Sequence, residues 1–151
     1  MRRLLVGEEA TLEFAGRVFR ALPEGCLIFL SGDLGAGKTT FVRGCLRAAG
    51  FQGAVKSPTF TLVEEYALPD RVLFHLDLYR LNDPEELEWM GIRDYFRPAA
   101  TCFIEWPERG AGRLPEPDLA IRLALEPAAR RAELSAHTEK GRAILAKLAP
   151  E

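Results

Sequence analysis

A glycine-rich turn set between an apolar run and a helical pattern carries the chemistry of this chain. Gly32, Gly37, Lys38 and Thr39 satisfy the spacing G-x-x-x-x-G-K-[ST] within Gly32-Asp33-Leu34-Gly35-Ala36-Gly37-Lys38-Thr39-Thr40. A nucleoside triphosphate presents several negative charges that water solvates well. A protein that competes must offer many donors at once, with no bulky side chains in the way. Gly32, Gly35 and Gly37 let the backbone curl until consecutive N–H groups point into one concavity. The start of the following helix adds free donors and a partial positive charge. Lys38 supplies a point charge for the terminal phosphates, and the Thr39 hydroxyl is placed to ligate Mg²⁺. Asp33 and Leu34 are not required by the cradle itself.

Such a loop needs a metal-side acid at the end of a neighbouring strand, and two candidates exist. Asp77 follows Val72-Leu73-Phe74-His75-Leu76, and Glu105 follows Cys102-Phe103-Ile104. In open α/β sheets ligands sit at the carboxyl ends of the strands, and both acids lie near such an end. One would hold the Mg²⁺ shell while the other orients or deprotonates an attacking water. Residue order leaves that assignment open. Ser57-Pro58-Thr59 is a hydroxyl-rich turn with the makings of a phosphate-sensing switch, in which the Thr59 hydroxyl meets the terminal phosphate. His75 and His137 read as structural, because no metal-ligand partner lies at useful spacing. Arg130 and Arg131 read as a solvated strand end rather than as phosphate contacts. Trp106 either shields the site or merely packs beside Glu105.

The elements that position these groups follow from periodicity. Arg2 to Val6 reads as a short strand. Glu9 to Leu22 reads as a helix with Phe14, Ala15, Val18, Phe19 and Leu22 on one face. Cys26 to Ser31 is a buried-type strand entering the loop. The helix leaving it presents Phe41, Val42, Cys45, Leu46 and Ala49, with Gly50 as its C′ residue. Thr61 to Ala67 and Val72 to Leu78 flank a Pro-Asp turn and are expected to form an antiparallel hairpin. Asp83-Pro84-Glu85-Glu86 is a helix start, and Gly91 closes that helix. Thr101 to Glu105 is a strand, and Pro107 to Pro117 a loop. Leu119, Ile121, Leu123 and Leu125 alternate along a strand covered on one side, with Arg130 to Ser135 able to pair with it. Glu139 to Leu148 is a final helix.

A length of 151 residues suits one domain, residues 1–151, with a single core. A net charge of −2 supplies no basic field to draw in DNA, tRNA or a membrane surface. Cys26, Cys45 and Cys102 lie far apart in apolar segments and read as reduced core residues of a cytoplasmic protein. The apolar run Leu4-Leu5-Val6 is too short for a signal peptide or a membrane span.

The motifs Gly32 to Thr40, Lys56-Ser57-Pro58-Thr59-Phe60-Thr61-Leu62, His75-Leu76-Asp77-Leu78-Tyr79-Arg80-Leu81 and Ile104-Glu105-Trp106-Pro107-Glu108 occur in that order. Together with Asp83 to Glu88 and Gly91-Ile92, they resemble the TsaE (YjeE) family, small bacterial ATPases of tRNA threonylcarbamoyladenosine synthesis. The resemblance spans roughly Glu8 to Pro117 and is only general beyond. It implies an α/β, three-layer P-loop NTPase-like fold around a mixed parallel/antiparallel sheet. It implies ATP and Mg²⁺ as cofactors and low intrinsic hydrolysis. The partners implied are TsaB and TsaD, of which TsaD modifies the N6 atom of tRNA adenosine 37, so that tRNA is met only through the complex. By position, Lys38, Asp77 and Glu105 correspond to the catalytic set, and Thr39 and Glu105, with Asp77, to the Mg²⁺ side. Asp33, Leu34, Gly35, Ala36, Gly37, Lys38, Thr39, Thr40 and Thr59 correspond to the phosphate side, and Glu8 and Thr11 lie near the adenine. Other readings of the same loop are a nucleotide-gated binding module with incidental hydrolysis and a small-metabolite kinase. A GTPase is disfavoured by the absence of an N-K-x-D segment.

Overall fold

The strand, turn and helix signals resolve into seven strands and four α-helices in a computed structural model that describes residues 1–149. In chain order these are β1 (Arg2–Leu5), α1 (Glu8–Ala21), β2 (Cys26–Ser31), α2 (Lys38–Ala48), β3 (Val63–Ala67), β4 (Val72–Asp77), α3 (Glu85–Trp89), β5 (Ala100–Glu105), β6 (Leu119–Glu126), β7 (Ala129–Ala136) and α4 (Glu139–Leu148). The strands form one sheet in the order β1-β7-β6-β2-β5-β4-β3. The four central strands pair in parallel, and the outer pairings β1–β7, β7–β6 and β4–β3 are antiparallel. The chain therefore has the mixed sheet and the α/β class that its motifs imply.

Helices cover both faces. On one, Phe14 and Val18 of α1, Phe41, Val42 and Leu46 of α2 and Ile144 of α4 pack on Ile28, Leu30, Phe103, Ile121 and Leu123. On the other, Leu87 of α3 and Ile92 of a 3-10 turn (Ile92–Tyr95) lie over Leu27, Phe74, Leu76, Cys102 and Ile104. Burial of these side chains is the dominant favourable contribution to the fold, each large one giving about 1.5–3 kcal/mol. Helices α1 and α2 approach closely at Gly44, where a Cβ would sit 2.6 Å from the Leu12 carbonyl oxygen and 2.8 Å from the Ala15 Cβ. Helix α2 ends as expected at Gly50, with φ of 88°. The Gly50 and Phe51 N–H groups donate to the Arg47 and Leu46 carbonyls, both at 3.0 Å, which satisfies the last turn. Thr138 caps α4 by accepting from the Gly141 N–H (3.2 Å) and donates to Asp118 Oδ1 (2.7 Å). The other oxygen of Asp118 accepts from the Leu27 N–H (2.9 Å), tying helix, β6 approach and β2 together.

Several boundaries differ from the sequence reading. Strand β3 begins at Val63, because residues 58–62 are taken up by a turn; Leu62 has φ of 71°, and its N–H donates to the Pro58 carbonyl (2.8 Å). Helix α3 begins at Glu85 with Pro84, rather than Asp83, as its N-cap, while Asp83 Oδ1 accepts from the Glu85 N–H at 3.0 Å. The segment read as loop from Pro107 contains a 3-10 turn, Pro107–Gly110. Leu125 is 61% exposed although it continues the alternation of Leu119, Ile121 and Leu123. Pairing of β6 with β2 stops at Arg122, so the end of the β6–β7 hairpin overhangs the sheet with no helix above Leu125.

Cys26, Cys45 and Cys102 are buried and free, as expected. Burial pushes the thiols of Cys26 and Cys102 up to about 12, with Asp118 adding to the effect at Cys26, and pushes Cys45 higher still. Among the described residues, no helix is long and apolar enough to cross a membrane.

Candidate functional site

Strand β2 delivers the glycine-rich loop at its carboxyl end, and α2 begins immediately after it. Gly32, Gly35 and Gly37 have φ of 150°, 83° and 106°, values that L side chains resist. Gly32 also abuts the β6 backbone, where a Cβ would meet the Leu123 carbonyl oxygen at 2.4 Å. The Ala36 N–H donates to the Asp33 carbonyl (3.0 Å) and closes the turn. Gly37 is the N-cap of α2 and offers no side-chain acceptor, so the first-turn N–H groups lack the cap that Thr138 gives α4. An uncapped helix start behind a curled loop suits a multiply charged anion.

Parallel pairing brings the two acids side by side, because Asp77 on β4 is in register with Glu105 on β5, next to β2. Both are 4% exposed. Lys38, 7% exposed, lies at the same end; its Nζ donates to the Gly32 carbonyl (2.6 Å) and stands 3.5 Å from Glu105 Oε1. The Trp106 ring covers that ammonium at 4.8 Å, and Tyr79 packs on the indole at 5.0 Å. Trp106 holds a left-handed backbone (φ 54°), which turns the chain back over the loop directly after Glu105. Trp106 therefore shields Lys38. Asp77 is tied at both oxygens: Oδ1 accepts from the Tyr79 N–H (2.9 Å) and Oδ2 from the Thr59 hydroxyl (3.2 Å). Ser57 Oγ and Thr59 Oγ1 are 2.7 Å apart, so the hydroxyl-rich turn is anchored to the acid.

These groups line one hollow of about 400 Å³, into which Leu34, Gly35, Gly37, Lys38, Thr39, Thr40, Thr59, Asp77 and Glu105 all project. Asp33 lines a neighbouring hollow on the other side of the loop, and Ala36 is buried beneath it. Glu8 and Thr11 are not among the lining residues. Glu8 is an exposed partner of Arg43 (3.5 Å) on the second turn of α2, and Thr11 is fully buried, its hydroxyl without a partner among the described residues.

One residue is misread by sequence alone. Arg130 is not a solvated strand end: it lines the hollow, its Nε is buried without a partner among the described residues, and a Cβ on Gly37 would lie 2.9 Å from that atom. Arg131 does remain at the strand end, paired with Glu126 and Glu133. The signal for Arg130 was its alternation with Ala132 and Leu134, which are buried on the helix-covered face. His75 is a buried structural residue, as expected, and it also touches the site. It is fully buried and its Nε2 lies 2.5 Å from Glu105 Oε2. Its spacing of two from Asp77 on a strand already placed both on one face. His137, as expected, lies far from the site, beside Ser135 and Glu116.

The oxygens of Thr39, Asp77 and Glu105 form a donor set of the kind a hard divalent cation prefers. Among the described residues, no group of three or more His, Cys, Asp or Glu is arranged to hold a metal by itself.

A family model described as "Threonylcarbamoyl adenosine biosynthesis protein TsaE" matches residues 5–133. The chain belongs to the TsaE family. The match extends past Pro117 and takes in Arg130 as well as the loop and both acids. A Haemophilus influenzae protein named "tRNA threonylcarbamoyladenosine biosynthesis protein TsaE" is 55% identical over 119 residues, covering 79% of this chain and 75% of its own length. A Bacillus subtilis TsaE of the same name is 38% identical over 116 residues, covering 77% and 72%. Among solved structures, the crystal structure of B. subtilis YdiB matches with a TM-score of 0.82 at 27% identity, covering 98% of this chain and 93% of that one. The fold of that structure thus extends over nearly the whole of this chain.

Proposed function

We propose that this chain is an ATP-binding, slowly ATP-hydrolysing accessory protein of tRNA threonylcarbamoyladenosine biosynthesis, acting with a TsaB–TsaD pair. The observation that carries the reading is the convergence of an uncapped helix start, Lys38, Thr39, Asp77, Glu105 and Arg130 on one hollow at the carboxyl ends of β2, β4 and β5. Membership of the TsaE family supports the pathway. The loop N–H groups and the start of α2 receive the phosphate chain. Lys38 exchanges the Gly32 carbonyl for the terminal phosphates, and Arg130 brings a second cation from the facing strand. Thr39 and Glu105, with Asp77, would hold Mg²⁺, which when bound neutralises charge on the phosphate oxygens. A carboxylate of the Asp77–Glu105 pair orients the water that attacks the terminal phosphorus as its bond to the bridging oxygen breaks, giving ADP and inorganic phosphate. Thr59 links this chemistry to the segment 57–62: a terminal phosphate within reach competes with Asp77 for the Thr59 hydroxyl, so the turn reports whether that phosphate is present.

The reading is tested by calorimetry with ADP and ATP, with and without Mg²⁺, followed by phosphate release alone and with purified TsaB–TsaD. Expected are Mg²⁺-dependent binding, slow release alone and faster release with the pair. Asp77→Ala and Glu105→Ala should lower release at least about tenfold while retaining ADP binding. A wild-type chain that binds neither nucleotide, or that releases phosphate equally well in both variants, overturns the proposal.

A further inference from the structure

Glu105 is the acid most deeply set beside Lys38, and what restrains it is unusual for a strand-end carboxylate. Its Oε1 faces Lys38 Nζ at 3.5 Å, and its Oε2 meets His75 Nε2 at 2.5 Å. A carboxylate oxygen only accepts, so Nε2–H of His75 donates to it. His75 is fully buried, and its Nδ1 has no partner among the described residues. The ring is thus held on its polar side by Glu105 alone, and an imidazole in an apolar core with a single partner is a costly way to fill space. Leu73 and Phe103, its neighbours on the same face, show that an apolar side chain would be at home there. The register explains the reach: His75 precedes Asp77 by one full pleat on β4, and Asp77 stands beside Glu105.

We infer that His75 is a positioning residue for Glu105, resting on the reading of Glu105 as the Mg²⁺-side acid given above. Its Nε2–H pins Oε2, so that Oε1 alone is presented toward Lys38 and the hollow. Without that donor, Oε2 is a buried, unsatisfied acceptor whose nearest remaining donor is the Lys38 ammonium. The carboxylate then turns to engage Lys38 with both oxygens, which withdraws it from the cation side and ties down the lysine that should meet phosphate.

Two amide substitutions separate this from a packing role. His75→Gln places an amide donor at about the reach of Nε2, whereas the shorter His75→Asn stops at the reach of Nδ1. The first readout is the factor by which Mg²⁺ tightens ADP binding, measured by calorimetry; the second is ATP turnover as a function of Mg²⁺ concentration. His75→Leu and His75→Asn are expected to lower the Mg²⁺ factor and to raise the Mg²⁺ needed for half-maximal turnover by about 10- to 100-fold, the usual cost of losing a partner of a metal ligand. Mg²⁺-free ADP binding should change far less, and His75→Gln should recover most of the loss. If His75→Leu keeps the wild-type Mg²⁺ factor and turnover, or if Gln and Asn behave alike while only thermal stability changes, the inference is wrong. A wild-type protein with no Mg²⁺ effect on ADP binding would instead remove the reading of Glu105 on which the inference stands.

Discussion

Lys38 and Glu105 form a buried ion pair, and its removal one partner at a time has a calculable effect. The side chains are 7% and 5% exposed with the charges 3.5 Å apart. At that separation the attraction is roughly 5 kcal/mol at an effective dielectric of about 20. Desolvation of both groups offsets much of it, but removing one partner strands the other charge, at a cost of about 3–5 kcal/mol. Lys38→Met keeps the aliphatic stem under Trp106 while deleting the ammonium, and leaves Glu105 with His75 only. For a chain of this size about 1 kcal/mol corresponds to roughly 2–4 °C, so Lys38→Met should melt about 10 °C below wild type. Glu105→Gln strands the ammonium in turn, although the Gly32 carbonyl still accepts from it. In the double variant neither charge of this pair is left behind to face the other's absence, and the coupling free energy from urea denaturation of the four proteins should be about 2–3 kcal/mol. Additive losses within about 0.5 kcal/mol would show that the two groups do not act as a pair, and the geometry of the site would have to be redrawn. Calorimetry on the same Lys38→Met protein should show ADP affinity reduced at least about tenfold, since a charged hydrogen bond is worth about 1.5–3 kcal/mol; unchanged affinity would contradict the cradle itself.

Two glycines of the loop should respond differently to alanine. Gly35→Ala meets nothing within 4 Å and carries only its positive φ, costing about 1–2 kcal/mol, whereas Gly32→Ala drives a Cβ to 2.4 Å from the Leu123 carbonyl and should cost roughly 3 kcal/mol or more. Equal denaturation midpoints for the two variants would refute that ordering. Thr138→Ala removes the α4 cap and a donor to Asp118, and should lower stability by about 1–2 kcal/mol in urea titrations while leaving nucleotide binding untouched. The buried thiols give a pH dependence of definite sign. The unfolded chain releases these protons near 9.0, while the native chain holds those of Cys26 and Cys102 to about 12. Their contribution to stability is therefore complete below pH 9 and is lost as pH rises toward 12, by up to ~1.4 kcal/mol per pH unit for each thiol. Urea midpoints that stay flat from pH 8 to 10.5, or rapid reaction of the native thiols with a disulfide reagent at pH 8, would count against it.

Much of this protein is local in origin and so is legible in one dimension. The loop from Gly32 to Thr39 is recognisable because each of its demands falls on a particular residue: glycine where φ is positive, lysine and threonine where α2 begins. Apolar periodicity placed α1, α2 and α4 and the strands to within a residue or two, and Gly50 and Gly91 marked helix ends because only a residue without Cβ takes up the left-handed turn cheaply. Asp77 and Glu105 stood out as acids closing apolar strands. Which strands lie side by side depends on long-range pairing that no local pattern encodes, and it is this pairing that put Asp77 in register with Glu105 and both beside the loop. The same cause explains the contacts that residue order did not show. Arg130 reaches Gly37 only because β7 folds back along β6 and carries it over the loop, and His75 touches Glu105 only because β4 and β5 run parallel in one register. Leu125 is exposed for the complementary reason, since the sheet ends before it does. Sequence alone thus determined the chemistry on offer, residue by residue, since it is written in side-chain type and backbone freedom. The tertiary structure decided which groups meet, because contact between residues thirty or ninety positions apart is a property of strand order and register.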